Sequence, residues 1–189
     1  MTMHTYYLAE KLLYDGTQLA SLWALRNFRL QGDSMVSFRG PCRVDCSALV
    51  DVKDVLDQAP IFSEDMLHFI VEHFELDLTK TILRQRILMS LIKEILETKG
   101  NLSFNRRGDD LFIAGKKLSV SIATLTPVST MIHVGLNTTS KNTPVATVGL
   151  LEAGWTEKEL PVLAELICQS YVREMQEVQQ ARCKVRGVG

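Results

Sequence analysis

Lys116 and Lys117 stand side by side in GDDLFIAGKKLSVSIA, residues 108–123, at the tip of an expected hairpin. The strand they lead alternates apolar and small polar residues. Successive side chains of a strand point to opposite faces, so Leu118, Val120 and Ile122 share one face and Lys117, Ser119 and Ser121 the other. MIHVGLN, residues 131–137, divides in the same way, with Ile132, Val134 and Leu136 set against Met131, His133, Gly135 and Asn137. If the two strands are neighbours, the polar sets coincide. Such a face is either a solvated outer surface or the floor of a pocket. Its small size, its few charges and a mid-strand glycine favour the pocket, because a strand glycine marks a close approach by a ligand or another backbone.

A lysine in a small polar pocket can neutralise a carboxylate or phosphate, or stabilise a developing oxyanion. An uncharged, buried lysine can also exchange protons or attack an acyl carbon. Lys117 is therefore the first candidate for chemistry, while Lys116 points the other way, toward solvent. His133 can serve as a general acid or base, or simply be a satisfied sheet histidine. Arg39, before Gly40-Pro41, can clamp an anion from a turn or form a structural salt bridge. Arg106 and Arg107 read as a solvated pair. HFIVEH, residues 68–73, approaches a metalloprotease pattern, but on a helix His68 and His73 diverge. His68 and Glu72 would share a helical face and a hydrogen bond.

Composition narrows the class. The chain has 189 residues, 46% of them hydrophobic, enough for one domain with a sizeable core. A net charge of -1 leaves no excess of cations for general nucleic-acid binding. No apolar run approaches a membrane span, and MTMHTYYLAEKLLYDG lacks the basic start and long apolar core of a signal peptide. The expected place is the cytoplasm. Cys42, Cys46, Cys168 and Cys183 are too scattered for a disulfide framework and lack zinc-ligand spacing, so reduced thiols are expected.

The positioning elements follow from periodicity. TQLASLWALRNF predicts an amphipathic helix over residues 17–28. SMVSFRG and SALVDV read as short strands split by a turn at Gly40-Pro41. Ser63, followed by Glu64 and Asp65, reads as the start of a helix ending near Asp77. A second helix is expected from Thr79 to Thr98, with Leu88, Leu91, Ile92 and Ile95 as its apolar stripe and Gly100 as its cap. Residues 110–150 are strand-rich, with turns at Ala114-Gly115 and around Pro127 and Pro144. Thr156 and Glu159 form a capping box for a last helix, with Trp155 and Leu160 as its staple. Helices around a run of strands predict a single α+β domain with a mostly antiparallel sheet, and a loosely held tail at 181–189.

The lysine strand also carries a resemblance. GKKLSVSIA resembles the motif of lipoate- and biotin-protein ligases in which a lysine is followed by an apolar residue and a small Ser/Gly run. RRGDDLFIAG is similar to the segment before it, with Asp109 where asparagine is usual. SFRGPCRVDCSALVDVKD, MIHVGLN and TVGLLEAG are similar, in order and spacing, to segments of lipoyl (octanoyl) transferases. Nearly end to end, the chain resembles an uncharacterised prokaryotic family with the same fold. The resemblance implies an α+β fold of the biotin/lipoate-ligase, class II synthetase-like type, with a mixed, mostly antiparallel sheet flanked by helices.

It further implies an acyl or carboxylate substrate on Lys117, with Lys117 and His133 in catalytic roles. Arg39, Gly40, Ser119, Ser121, Gly135 and Asn137 would bind substrate. ATP with magnesium would be required if the chain is ligase-like, and an acyl-carrier or lipoyl-domain protein is the implied partner. Two departures stand out. Val148 occupies the position of the transferases' nucleophilic cysteine, which closes the thioester route there. FRGPC replaces the ligases' Gly-rich loop, and Arg39 and Cys42 replace a transferase His and Gly. The alternative is a small-molecule-binding protein that kept the pocket without the chemistry.

Overall fold

The computed structural model describes residues 3–58, 61–99 and 102–188. Its centre is β3 (Ile61–His73), paired antiparallel on one side with β2 (Ser34–Val44) and on the other with β8 (Thr130–Asn137). β1 (His4–Leu8) runs parallel to β2 at one edge, and β7 (Ser119–Leu125) runs antiparallel to β8 at the other. The sheet order is thus β1-β2-β3-β8-β7. A small sheet of β4 (Phe104–Arg107), β5 (Asp110–Ile113) and β6 (Lys116–Lys117) leads into β7. Ala114 and Gly115, both at positive φ, form its two-residue turn, the geometry that matches strand twist.

Two long helices, α3 (Leu78–Glu97) and α4 (Leu160–Arg182), cover one face of the main sheet. Leu88, Met89 and Ile92 of α3 and Leu163 and Ile167 of α4 meet Leu67, Phe69 and Val134 of the strands. Full burial of each such side chain stabilises by about 1.5–3 kcal/mol. The opposite face has its own core, where Tyr14 and Trp23 of the N-terminal region pack on Val36, Phe38, Met66 and Ile70. Half of the expected capping box forms: Thr156 N donates to Glu159 Oε2 at 2.8 Å, but Thr156 Oγ1 donates to the same carboxylate instead of capping a helix N–H. α4 is entered through Glu159 without a side-chain cap, while Trp155 and Leu160 join one cluster. α4 continues to Arg182, two residues into the expected tail, and residues 183–188 beyond it are exposed.

Four sequence expectations are corrected. Residues 63–77 are not a helix, because residues through His73 form β3. That strand is buried on both faces, so it shows no alternation and its continuous apolar run imitates a helix. SMVSFRG does not end at a turn. β2 passes through Gly40-Pro41 to Val44, with a register shift between Gly40 and Cys42 that accommodates a residue lacking an N–H. SALVDV is not a strand: it holds a 3₁₀ turn, Cys46–Ala48, and the start of α2 (Val52–Leu56). The expected helix at 17–28 shortens to α1 (Trp23–Phe28), entered through Leu22 at φ 63°. Gly100 lies outside the described residues.

Two glycines mark close approaches. A Cβ on Gly40 would collide with the backbone carbonyl of Leu12, where the N-terminal chain crosses β2. A Cβ on Gly135 would meet Met66 Cε at 2.9 Å and Val120 Cγ2 at 3.2 Å. Side chains of the sheet, not a second backbone, therefore set the need for glycine at 135. Gly40→Ala should cost more than about 3 kcal/mol, because overpacking against a fixed backbone has no soft response. Gly135→Ala should cost about 1 kcal/mol, because the methionine tip can turn away. Urea midpoints of the two variants check the order; equal losses would contradict it.

Candidate functional site

The chain changes sheets at Leu118. Leu118 N donates to Leu111 O of the small sheet, and Asn137 N donates to Leu118 O in the main one. This crossing breaks the alternation that the sequence suggests. Lys117, before it, faces the same cleft as Val120 and Asn137. Ser119 and Ser121, after it, turn to the helix-covered side. Ser119 Oγ accepts from Leu111 N at 2.8 Å. Ser121 Oγ accepts from Gln85 Nε2 of α3 at 2.7 Å and donates to the carbonyl of Asp109 at 3.0 Å. The register agrees: Ser119 and Ser121 lie opposite Leu136 and Val134, whereas Val120 and Ile122 lie opposite Gly135 and His133. The expected coincidence of the Ser119 and Ser121 side chains with His133, Gly135 and Asn137 is corrected accordingly, although Ser121 still lines the inner hollow beside His133. The serines tie strands to strand and helix.

The cleft runs across the face that carries Val120 and Ile122. Val44, Leu49 and Ile61 supply apolar wall, and Tyr14, Cys42 and His133 form its inner end. This inner hollow holds about 50 Å³. A second hollow of about 170 Å³ adjoins it, sharing Asp54, Ile61 and Val120, and reaches Met66, Asn137 and Lys117 beneath Thr143-Pro144-Val145. Gly135 is covered here by Met66 and Val120, so it contributes space for packing rather than a bare floor.

Lys117 Nζ lies 2.9 Å from Asp110 Oδ2 with about one third of its side chain exposed. Its backbone is pinned to the 139–149 segment, with Lys117 N donating to Ala146 O and Val148 N to Lys117 O. Burial pushes the Asp110 carboxyl up, and the Lys117 ammonium opposes the shift. Asp54 is likewise raised by its own burial and by Asp51, against the pull of Lys117. Two carboxylates, Asp110 and Asp54, thus share one ammonium, and Asp51 adds negative charge beside Asp54. Among the described residues lining the two hollows, Lys117 is the only lysine or arginine.

At the inner end, His68 of β3 is fully buried and His133 of β8 nearly so. His68 Nε2 lies 3.2 Å from the carbonyl of Gly40, and its Nδ1 lies 3.1 Å from His133 Nε2. A carbonyl only accepts, so His68 Nε2 carries the hydrogen, its Nδ1 accepts, and His133 donates from Nε2. His133 Nδ1 is then a lone pair. It bonds to no described residue, and it is not among the polar atoms sealed without a partner, so it opens on the cleft that His133 lines. Tyr14 stacks on His133 at 3.7 Å between ring centres.

Burial lowers the His68 imidazole to about 4. Burial, reinforced by His68, holds His133 well below its ordinary value. At neutral pH His133 is thus a hydrogen-bond acceptor or a base, with no proton to give at Nδ1. Burial pushes the Cys42 thiol up to about 12, which leaves it protonated and a poor nucleophile. His68 and Glu72 share a strand face rather than a helical one. Glu72 accepts from Leu22 N and Ser129 Oγ, not from His68.

Arg39 is brought to a different place. It lies on the helix-covered side, where its guanidinium meets Asp65 at 2.5 Å and also Glu157. Burial alone would raise Asp65, but hydrogen bonds from Arg39, Thr138 and Lys11 outweigh it and hold the carboxyl low. The structural salt bridge is therefore the observed use of Arg39. Gly40 belongs to the scaffold beneath the cleft through its carbonyl. Val148 packs against the helix-side core. Sequence reasoning missed Tyr14 and Asp54 as cleft groups, and Asp110 and His68 as the partners of Lys117 and His133. The acids before Lys117 carried the only local signal, an Asp-Asp pair across a two-residue hairpin.

A family model described as a domain of unknown function, DUF366, matches residues 3–186. An uncharacterised protein of Methanocaldococcus jannaschii is 37% identical over 184 residues, covering 94% of this chain and 82% of the relative. The solved structure of a protein of unknown function from Pyrococcus horikoshi is 36% identical, with a TM-score of 0.91 and full coverage of both chains. The biotin protein ligase from Aquifex aeolicus, solved in complex with biotin and ATP, aligns at a TM-score of 0.55 and 15% identity, over 92% of this chain and 72% of that one. At that identity the likeness shows the fold, an α+β arrangement of the biotin/lipoate-ligase type. No helix among the described residues is long and apolar enough to cross a membrane.

The histidine pair predicts an acid-sensitive fold. Both imidazoles are lowered in the folded state, so the unfolded chain binds more protons below about pH 6.5. The stability contributed by the neutral pair is complete above that value and is lost as pH falls toward 4. Replacing both residues, as His68→Gln with His133→Gln, should flatten the dependence of the melting temperature on pH between 6.5 and 4. An unchanged slope would show that the two imidazoles titrate normally.

Proposed function

The chain belongs to the DUF366 family, and from the geometry of its cleft we propose that it binds a small aliphatic acyl compound, with the acyl carbonyl at Lys117. The observation that carries this is the pairing of Lys117 with Asp110 at the end of an apolar trough. An ammonium has three N–H donors. One is spent on Asp110, which neutralises the charge and leaves donors for a carbonyl oxygen. Val120, Ile61 and Met66 offer an aliphatic chain the surface it needs.

Charge also separates binding from activation. A triphosphate needs several cations or backbone N–H groups. This cleft offers one lysine among Asp51, Asp54 and Asp110, and Arg39 is engaged with Asp65 and Glu157. These features support a binding protein that holds an acyl group without ATP and magnesium, in preference to a ligase. The Aquifex enzyme that shares this fold is solved with biotin and ATP, which supports a small-molecule ligand without naming it. Lys117, His133 and Asn137 form the proposed site, with Asp110 and Tyr14 added and Gly135, Arg39, Ser119 and Ser121 as its frame.

Native mass spectrometry of the purified protein should show a retained acyl compound, and calorimetry should show binding of octanamide, a neutral acyl probe. Lys117→Ala should weaken octanamide binding at least tenfold, on the order of 1.4 kcal/mol, with little loss of stability. Lys116→Ala, on the exposed side of the same hairpin, should leave it unchanged. Equal effects of the two substitutions would remove Lys117 from the site. Binding of ATP with magnesium, with pyrophosphate exchange dependent on an added acid, would replace the binding-protein reading with a ligase.

A further inference from the structure

A cavity larger than either hollow of the cleft lies away from it. It opens between the start of α3 and the end of α4, on the helix-covered side of the sheet, and holds about 570 Å³. Leu83 and Ile87 of α3 face Val172, Met175 and Val178 of α4 across it, which gives it long apolar flanks. Its inner end is charged: Asp33, His73, Glu75, Lys80 and Arg84 meet there.

The hydrogen bonds at that end leave a one-sided remainder. Asp33 Oδ1 accepts from Phe74 N at 2.9 Å, and Oδ2 accepts from His73 Nδ1 at 2.9 Å. His73 Nε2 is met by the Tyr171 hydroxyl at 2.9 Å. Glu75 Oε2 pairs with Lys80 Nζ at 2.6 Å, and Oε1 pairs with Arg84 Nη1. Both carboxylates have each oxygen occupied. Arg84 does not have each donor occupied. Its residue is 9% exposed, yet Nε and Nη2 donate to no described residue. Neither atom is among those sealed without a partner, so both keep surface in the cavity that Arg84 lines.

A guanidinium presents five N–H donors in a fixed fork and matches a carboxylate with two of them. The guanidinium is nine-tenths withdrawn from water, and the two donors that keep surface face the cavity, where one carboxylate can engage both. We propose that this groove is a second ligand site, for an amphipathic monoanion. Its carboxylate lies on Nε and Nη2 of Arg84, with Lys80 nearby, and its aliphatic chain runs between Leu83 and Ile87 on one side and Val172, Met175 and Val178 on the other. The site is independent of the acyl cleft. It lies across the sheet from it, shares no lining residue with it, and selects a charged head where the cleft takes a neutral carbonyl.

Decanoate is the test ligand, titrated by calorimetry into the full chain. Decanol, with the tail and no charge, and inorganic phosphate, with charge and no tail, should each bind at least tenfold more weakly. Arg84→Gln should weaken decanoate at least tenfold, while Lys117→Ala should leave it unchanged. If Arg84→Gln fails to fold, Leu83→Gln and Val178→Gln decide, since both residues are exposed at the rim, at 60% and 44%. Each should weaken decanoate severalfold with an unchanged melting temperature. Decanoate binding that survives the rim substitutions, that decanol matches, or that Lys117→Ala abolishes would overturn the proposal. The last result would place decanoate in the acyl cleft.

Discussion

The constraint on which the rest depends is that β3 is buried on both faces while carrying polar groups on each. A buried charge or imidazole is tolerated only when partnered, so every such group on β3 has recruited another segment. Asp65 holds Lys11, Arg39 and Thr138. His68 holds the Gly40 carbonyl and His133. Glu72 caps Leu22 and holds Ser129, and His73 links Asp33 to Tyr171. Through these contacts one strand positions the N-terminal crossing, the neighbouring strands and the last helix. Breaking one of them by truncation leaves its partner unpaired, which costs more than the contact itself contributes.

The cleft is a consequence of that arrangement. Tyr14 reaches His133 because Leu12 to Tyr14 runs along β2, with Leu12 N on Arg39 O and Tyr14 N on Pro41 O. His133 keeps a free nitrogen toward the cleft because its other nitrogen serves His68. The opposite end is set by the passage of the chain between sheets at Leu118, which leaves Lys117 beside Asp110 on one side and bonded to the 139–149 segment on the other. The result is an apolar trough with an acceptor at one end and a neutralised ammonium at the other. That pattern suits a compound with an aliphatic body and polar ends better than it suits a polyphosphate.

The two helices have a different relation to the sheet. Their apolar stripes close the main core along Leu88, Ile92, Leu163 and Ile167. Where α4 passes the first turns of α3 they leave space between them, with a charged network at its base. Most of that network is internally balanced. The unspent donors of Arg84 are what distinguish this groove from an ordinary gap between helices.

The sequence by itself determined the α+β class, α3, the last helix and the Ala114-Gly115 turn. These rest on interactions a few residues apart, such as side-chain periodicity, capping and turn chemistry, so the local string contains them. It misread residues 63–77, because a strand covered on both faces has no alternation to display, and acids near its start imitate a helix cap. It grouped Ser119 and Ser121 with His133, because alternation extrapolated through Leu118 knows nothing of a change of sheet. Tertiary structure alone decided that Arg39 is spent on Asp65 and Glu157, residues 26 and 118 positions away. It alone paired His68 with His133 and left Arg84 with open donors. Each of those outcomes depends on which distant group arrives to satisfy a buried charge, and that is settled by how the chain packs.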